Sequence, residues 1–264
     1  MTVNQTYPVP VSASVLRGKA RMRLCDDGVR ITLIFALLIT VFAGILGLLV
    51  GELLVNLCFP FLIDGGRYTN YFLADLICYF PAIVFALPLC GGTVRLTGRI
   101  AKGEAPDLRE LFWAFSSPAK LLRVTFAAAF PLIKAVTVLA LVFVRDFLPR
   151  EVDASIPSPF GSLLTIAGVL LSLLCLRVTR VNGMLCWFAA VEDQPLARAV
   201  RSAGAAASER WTALKLLFSM TGWFLLAFAT VLVSGFADTF PQYLLSRAVR
   251  AEEYVRNSQS ETTT

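Results

Sequence analysis

The sequence contains no histidine. That removes the commonest general base and the commonest metal ligand. Charge is also scarce: Asp, Glu, Lys and Arg make up 16% of the chain, against ~25% in an ordinary soluble domain. There are six cysteines and no Cys-x-x-Cys pair among them. Most lie inside apolar runs, where they read as small buried hydrophobes rather than as a disulfide framework. The chain has no Walker loop, no zinc-ligand spacing and no Gly-x-Ser-x-Gly elbow. Nothing therefore calls for catalysis, a metal or a cofactor. Residues 1–30 are polar and basic and lack the early apolar core of a cleavable signal. The first apolar run is expected to stay in the membrane.

What the chain does have is hydrocarbon. Hydrophobic residues make up 57%, and the mean hydropathy is +0.71. They come in long runs. Residues 31–51 carry no charge, 72–94 only Asp75, 124–144 only Lys134, 161–176 none and 216–237 none. A bilayer core of ~30 Å needs roughly 20 such residues as a helix. The expected fold is all-α: a polytopic integral membrane helical bundle with amphipathic interfacial helices. Spans are predicted near 31–62, 71–94, 120–144, 161–182 and 214–237. Residues 1–30 form a basic amphipathic segment, 31–237 the transmembrane domain, and 238–264 a C-terminal amphipathic segment with a disordered tail from Asn257. Residues 236–256 are the candidate sixth span. Asp238, Arg247, Arg250, Glu252 and Glu253 make it too polar to cross alone, so an interfacial helix and a shielded short span both remain open.

The net charge of +6 is unevenly placed. Three alternate segments, before the first span, between the second and third, and between the fourth and fifth, hold 17 of the 24 basic residues. Short loops rich in Lys and Arg stay cytoplasmic. The N-terminus is thus expected inside a bacterial cytoplasmic membrane, and a five-span count leaves the C-terminus outside. Anionic headgroups account for the basic surface, and nucleic acid is not expected as a partner.

The basic segments are amphipathic. In residues 14–24, Val15 and Leu16 are expected near Met22 on one apolar side. In residues 107–115, Asp107 and Glu110 form a capping-box pattern. Leu108, Leu111, Phe112 and Phe115 fall at α-helical spacing on one face. Ser117 can cap the next helix, with Pro118 at its first position. In residues 192–210, Asp193 is the candidate cap and Leu196, Ala197, Val200 and Ala203 the apolar stripe. These surfaces suit lipid or partner binding, or serve as linkers resting on the membrane.

Two of these stretches carry a resemblance. "GGTVRLTGRIAKGEAPDLRELFWAF", residues 91–115, has a basic helix end, a Gly103-Glu104 turn and a short Leu-Phe helix. "CWFAAVEDQPLARAVRSAGAAASERWTALKLLFSMTGW", residues 186–223, has an acidic turn, an Ala-rich basic helix and Gly222-Trp223 opening a span. Both resemble a bacterial multi-pass membrane family known as domain of unknown function 975. The resemblance covers roughly residues 12–256. It implies a six-span plan and brings no assigned activity. The chain departs from it where Asp238, Arg247 and Arg250 fall in the sixth span.

Inside the runs, Glu52 and Asp75 are expected at similar depth, about 10 Å beyond the midplane. Lys134 lies near mid-depth and can reach toward them. A Glu52–Asp75–Lys134 cluster would either neutralise itself and fix helix packing or line a pathway for a proton, ion or small solute. Pro81, Pro88 and Pro131 would favour the pathway if they broke their helices. Gly44, Gly47 and Gly51 form a small-residue stripe, expected as a helix-contact face within the chain or in a homo-oligomer. Two functions follow: a non-catalytic membrane protein binding lipid or partner proteins, or a small transporter using the charged cluster.

Overall fold

Ser12 starts the first helix: its hydroxyl accepts the Val15 N–H at the N-terminus of α1 (Ala13–Leu24). Two residues later Asp26 does the same for Gly28, 2.9 Å away, opening α2 (Asp27–Cys58). Asp27 in the first turn complements the helix dipole. Helix α3 (Tyr68–Lys102) returns antiparallel to α2. It stops at Gly103, whose φ of +90° continues no helix. Gly103 N–H bonds to Ile100 O and Glu104 N–H to Arg99 O, both at 3.0 Å, which is the Schellman pattern. A 3-10 helix (Leu108–Ser116) follows, then α4 (Pro118–Val142), α5 (Met184–Ala190), α6 (Leu196–Ala205) and α7 (Phe240–Thr262). The computed structural model describes residues 12–61, 68–142, 166–171, 184–206, 215–216, 219–220 and 238–262. Among these the regular structure is entirely helical.

Helices α2 and α3 form one long hairpin. The seam is built from small groups. A Cβ added to Gly44 would stand 3.8 Å from the Ala86 methyl, one on Gly47 would overlap the backbone of Ala82, and one on Gly51 would overlap the Cys78 carbonyl. Thr40 and Thr93 bond across the same seam at 3.3 Å. α3 runs unbroken through Pro81 and Pro88, and α4 is continuous through Pro131. The proline positions therefore open no helix.

Two helices among the described residues, Asp27–Cys58 and Leu73–Lys102, are long and apolar enough to cross a membrane. Only 17% and 28% of their most apolar stretches is buried in the protein. A core helix of a soluble domain would be mostly covered. Phe35, Phe42, Leu49, Leu53, Phe80 and Phe85 instead stand exposed. Five spanning helices are not shown: predicted span 120–144 falls on α4, while 161–182 and 214–237 lie largely outside the described residues.

The core sits at one end of the hairpin. Ala20 of α1, Leu33 of α2, Leu96 and Ile100 of α3, Leu111 of the 3-10 helix and Leu245 of α7 form one cluster. Leu16, Ala101, Leu185, Trp187, Ala199, Ala203 and Ala248 form its neighbour. Both terminal helices belong to this layer, and α7 packs directly on α1 and α3. The C-terminal helix thus packs beside the N-terminal one, and two expectations are corrected. It continues to Thr262, past Asn257, because Tyr254 and Val255 pack on the core and no Gly or Pro stops it. In α1 the buried face is Leu16 and Ala20, whereas Val15 and Met22 are exposed.

Arg17 donates to Ser219 O at 3.1 Å, and Arg30 pairs with Asp238 at 2.8 Å. The crossing expected over 214–237 lies largely outside the described residues.

Candidate functional site

Of the three predicted cluster residues, Glu52 and Asp75 have described side chains, and both lie on the α2–α3 hairpin. Glu52 follows Gly51, and Asp75 follows Ala74, which packs against Val55. The two carboxylates thus stand at neighbouring levels of the α2–α3 hairpin, and both are exposed. The groove near them is lined by Leu54, Leu76, Ile77, Phe80 and Pro81, which offer a polar solute nothing. Lys134 is on α4, and its side chain lies outside the described residues. The glycines have a definite partner: Gly47 and Gly51 are buried against α3 of the same chain.

The dense polar chemistry is at the basic end, around Trp113. It is built on α3, where two glycines admit close neighbours. A Cβ on Gly92 would overlap the Leu111 carbonyl, and one on Gly98 would stand 2.5 Å from Val191. The 3-10 helix and the turn after α5 can therefore press against α3. Arg95, the first charge after the apolar run of α3, reaches three groups at once. Its Nε meets Glu110 Oε2 at 2.6 Å, its Nη1 donates to Ala190 O at 2.7 Å, and its guanidinium carbon sits 4.1 Å from the centre of the Trp113 ring. Lys120 and Arg123 approach the same indole at 4.9 and 5.6 Å. The negative ring face offsets part of this crowding of cations.

Carboxylates answer most of the charge. Glu110 also pairs with Arg99, which in turn holds Glu104. Lys102 meets Glu192 at 2.9 Å, and Arg123 pairs with Asp193. Arg95 and Glu110 are both largely buried, and a buried charge left alone costs several kcal/mol. Lys120 differs. Its ammonium meets the Ser116 hydroxyl at 3.1 Å and has no carboxylate partner among the described residues. Arg109 likewise has none. Behind the junction, burial pushes the Cys186 thiol up to about 12, with Cys90 adding to the shift and Arg247 opposing it. Cys186 is a packing group, not a nucleophile.

Local expectations fare unevenly here. Ser117 caps α4, accepting from Lys120 N–H at 3.3 Å, with Pro118 as the first helical residue. The capping box is not formed. Asp107 accepts from Arg109 N–H at 2.9 Å, and the Glu110 carboxylate turns away to Arg95 and Arg99. Asp193 caps nothing: it has a φ of +52°, binds Arg123, and leaves Pro195 ahead of α6. In α6 the buried alanines are Ala199 and Ala203, and Ala197 is exposed. The cations around Trp113 were not legible from spacing, because they come from two helices flanking the ring.

The contacts join the two stretches 91–115 and 186–223: Arg95 to Ala190, Lys102 to Glu192 and Gly98 to Val191. No family model, no curated protein and no solved structure matches this chain. The junction's carboxylates are committed to cations, and no group of metal-ligating side chains exists among the described residues.

Proposed function

We propose that this chain is a non-catalytic, multi-pass protein of a bacterial cytoplasmic membrane that binds lipid or partner proteins through its basic end. The observation that carries the reading is the contrast between the two ends of one hairpin. Along α2 and α3 large apolar side chains stand uncovered, as they would facing lipid. At one end, α1, the C-terminus of α3, the 3-10 helix and α6 gather the basic segments. Lys and Arg concentrated on one side favour the cytoplasmic face, so the N-terminus is inside in this reading. The resemblance to domain of unknown function 975 enters in the same spirit: the two stretches that carry it are in contact. The transport reading has less support, because Glu52 and Asp75 are exposed on the hairpin rather than enclosed.

Alkaline carbonate extraction of cell membranes tests insertion, and an impermeant maleimide tests sidedness through the exposed Cys25. The chain should stay in the membrane pellet. Cys25 should be labelled in inverted vesicles and protected in intact spheroplasts. Release by carbonate would sink the membrane reading, and labelling in spheroplasts would reverse the orientation.

A further inference from the structure

The 3-10 helix has three residues per turn, so side chains three apart eclipse one another. That geometry sorts Leu108–Ser116 into three faces. Leu108, Leu111 and Ala114 point into the core. Glu110 and Trp113 join the charged junction. Arg109, Phe112 and Phe115 form the third face, and all three are exposed, the phenylalanines by 48% and 45%. An α-helical reading puts both phenylalanines on the buried side with Leu108 and Leu111. Here the core does not need them.

The depth of this face is fixed by α3. Its uncharged run ends at Val94. On one side of that boundary, Gly92 packs on the Leu111 backbone; on the other, Arg95 holds Glu110. The exposed phenylalanines are therefore level with the change from hydrocarbon to charge. Arg109 shares their face, and Lys120 reaches Ser116 and the Trp113 ring at the end of the same 3-10 helix; neither has a carboxylate partner among the described residues.

We infer that the Arg109–Phe112–Phe115 face, with Lys120, is a seat for the headgroup of an anionic phospholipid. The rings lie at the top of its acyl chains, Arg109 meets its phosphate, and Lys120 adds positive charge at the far end of the same helix. This rests on the membrane reading above and adds to it a defined site. A free phosphate would use the cations and leave the two rings in water. A bilayer uses both, which is why the lipid is the occupant.

The test uses the full chain in dodecyl maltoside, with thermal unfolding followed as phosphatidylglycerol or phosphatidylcholine is mixed in. Phosphatidylglycerol should raise the unfolding midpoint and phosphatidylcholine should not. R109Q/K120Q should lose most of that shift, each cation weakening the lipid's apparent affinity on the order of fivefold. R109K/K120R should retain it. R256Q, which removes an exposed charge from α7, should behave as the wild type. The inference is overturned if R109Q/K120Q keeps the full shift, if R256Q loses as much, or if inorganic phosphate at equal ionic strength reproduces the effect. Carbonate extraction of the same variants separates the two claims. A chain that stays in the membrane but ignores phosphatidylglycerol defeats only this site; a chain released from the membrane defeats the reading beneath it.

Discussion

Arg95 lies over Trp113, 4.1 Å from the ring centre, while the same guanidinium holds Glu110 at 2.6 Å. One side chain thus ties α3 to the 3-10 helix through both a charge pair and an aromatic face. Removing Glu110 strands Arg95, whereas removing Arg95 leaves Glu110 its second partner, Arg99. E110Q should lower stability in detergent by about 3 kcal/mol and R95Q by about 1.5 kcal/mol. The double variant should recover about 1–2 kcal/mol of the summed loss. Simple additivity in the double-mutant cycle would show that the pair is not coupled.

Glycine should behave in opposite ways at two kinds of position. G92A drives a Cβ into the Leu111 carbonyl, which is backbone and cannot step aside. A loss of about 3 kcal/mol is expected, with the 3-10 helix displaced. At Gly18 in α1 and Gly204 in α6, an added Cβ would meet nothing within 4 Å. G18A and G204A should each stabilise by about 0.5–1 kcal/mol through helix propensity alone. Thermal unfolding of the three variants side by side decides it; equal signs would contradict the packing.

The C-terminal helix should be held by packing more than by charge. Lys19 pairs with Glu253, but Lys19 is 45% exposed, so K19Q should cost at most about 1 kcal/mol. Leu245 is fully buried, and L245A should cost about 3 kcal/mol. A larger effect from K19Q than from L245A would reverse this order.

Because α7 packs on α1, the two termini should share one side of the membrane. In a background with Cys25 alone, or with S258C alone, an impermeant maleimide should give the same sidedness. Opposite labelling would exclude the observed seat of α7.

Cys186 should resist alkylation until the protein unfolds, while exposed Cys25 reacts. Burial raises the Cys186 thiol from 9.0 to about 12. A group whose folded value is raised contributes stability that is present below the unfolded value and lost as pH rises toward the folded one. Stability should therefore decline between about pH 9 and 12 through this group. C186A should flatten that decline, measured as unfolding midpoints across the range. An unchanged slope would remove Cys186 as its source.

Taken alone, the sequence determined the helical class, the apolar runs that became α2, α3 and α4, and those caps whose partners lie within the same turn. Ser117 and Pro118 are an instance: the bond closes over three residues, so spacing is enough to predict it. Tertiary structure decided whatever had two possible partners. Glu110 could close a capping box with its own turn or meet Arg95 and Arg99. It took the guanidiniums, since a charge-assisted pair shielded from water outweighs one exposed cap bond. Asp193 chose Arg123 over α6 in the same way. The pattern Leu108, Leu111, Phe112, Phe115 fits α spacing, but the close seat at Gly92 winds the segment as a 3-10 helix and turns both rings outward. The seat of α7 was least legible. Its alternation of apolar and charged residues marks an amphipathic helix, and only the exposed surface left by α1 and α3 determines which side it covers. Periodicity records that a face must be buried; what buries it depends on groups far along the chain.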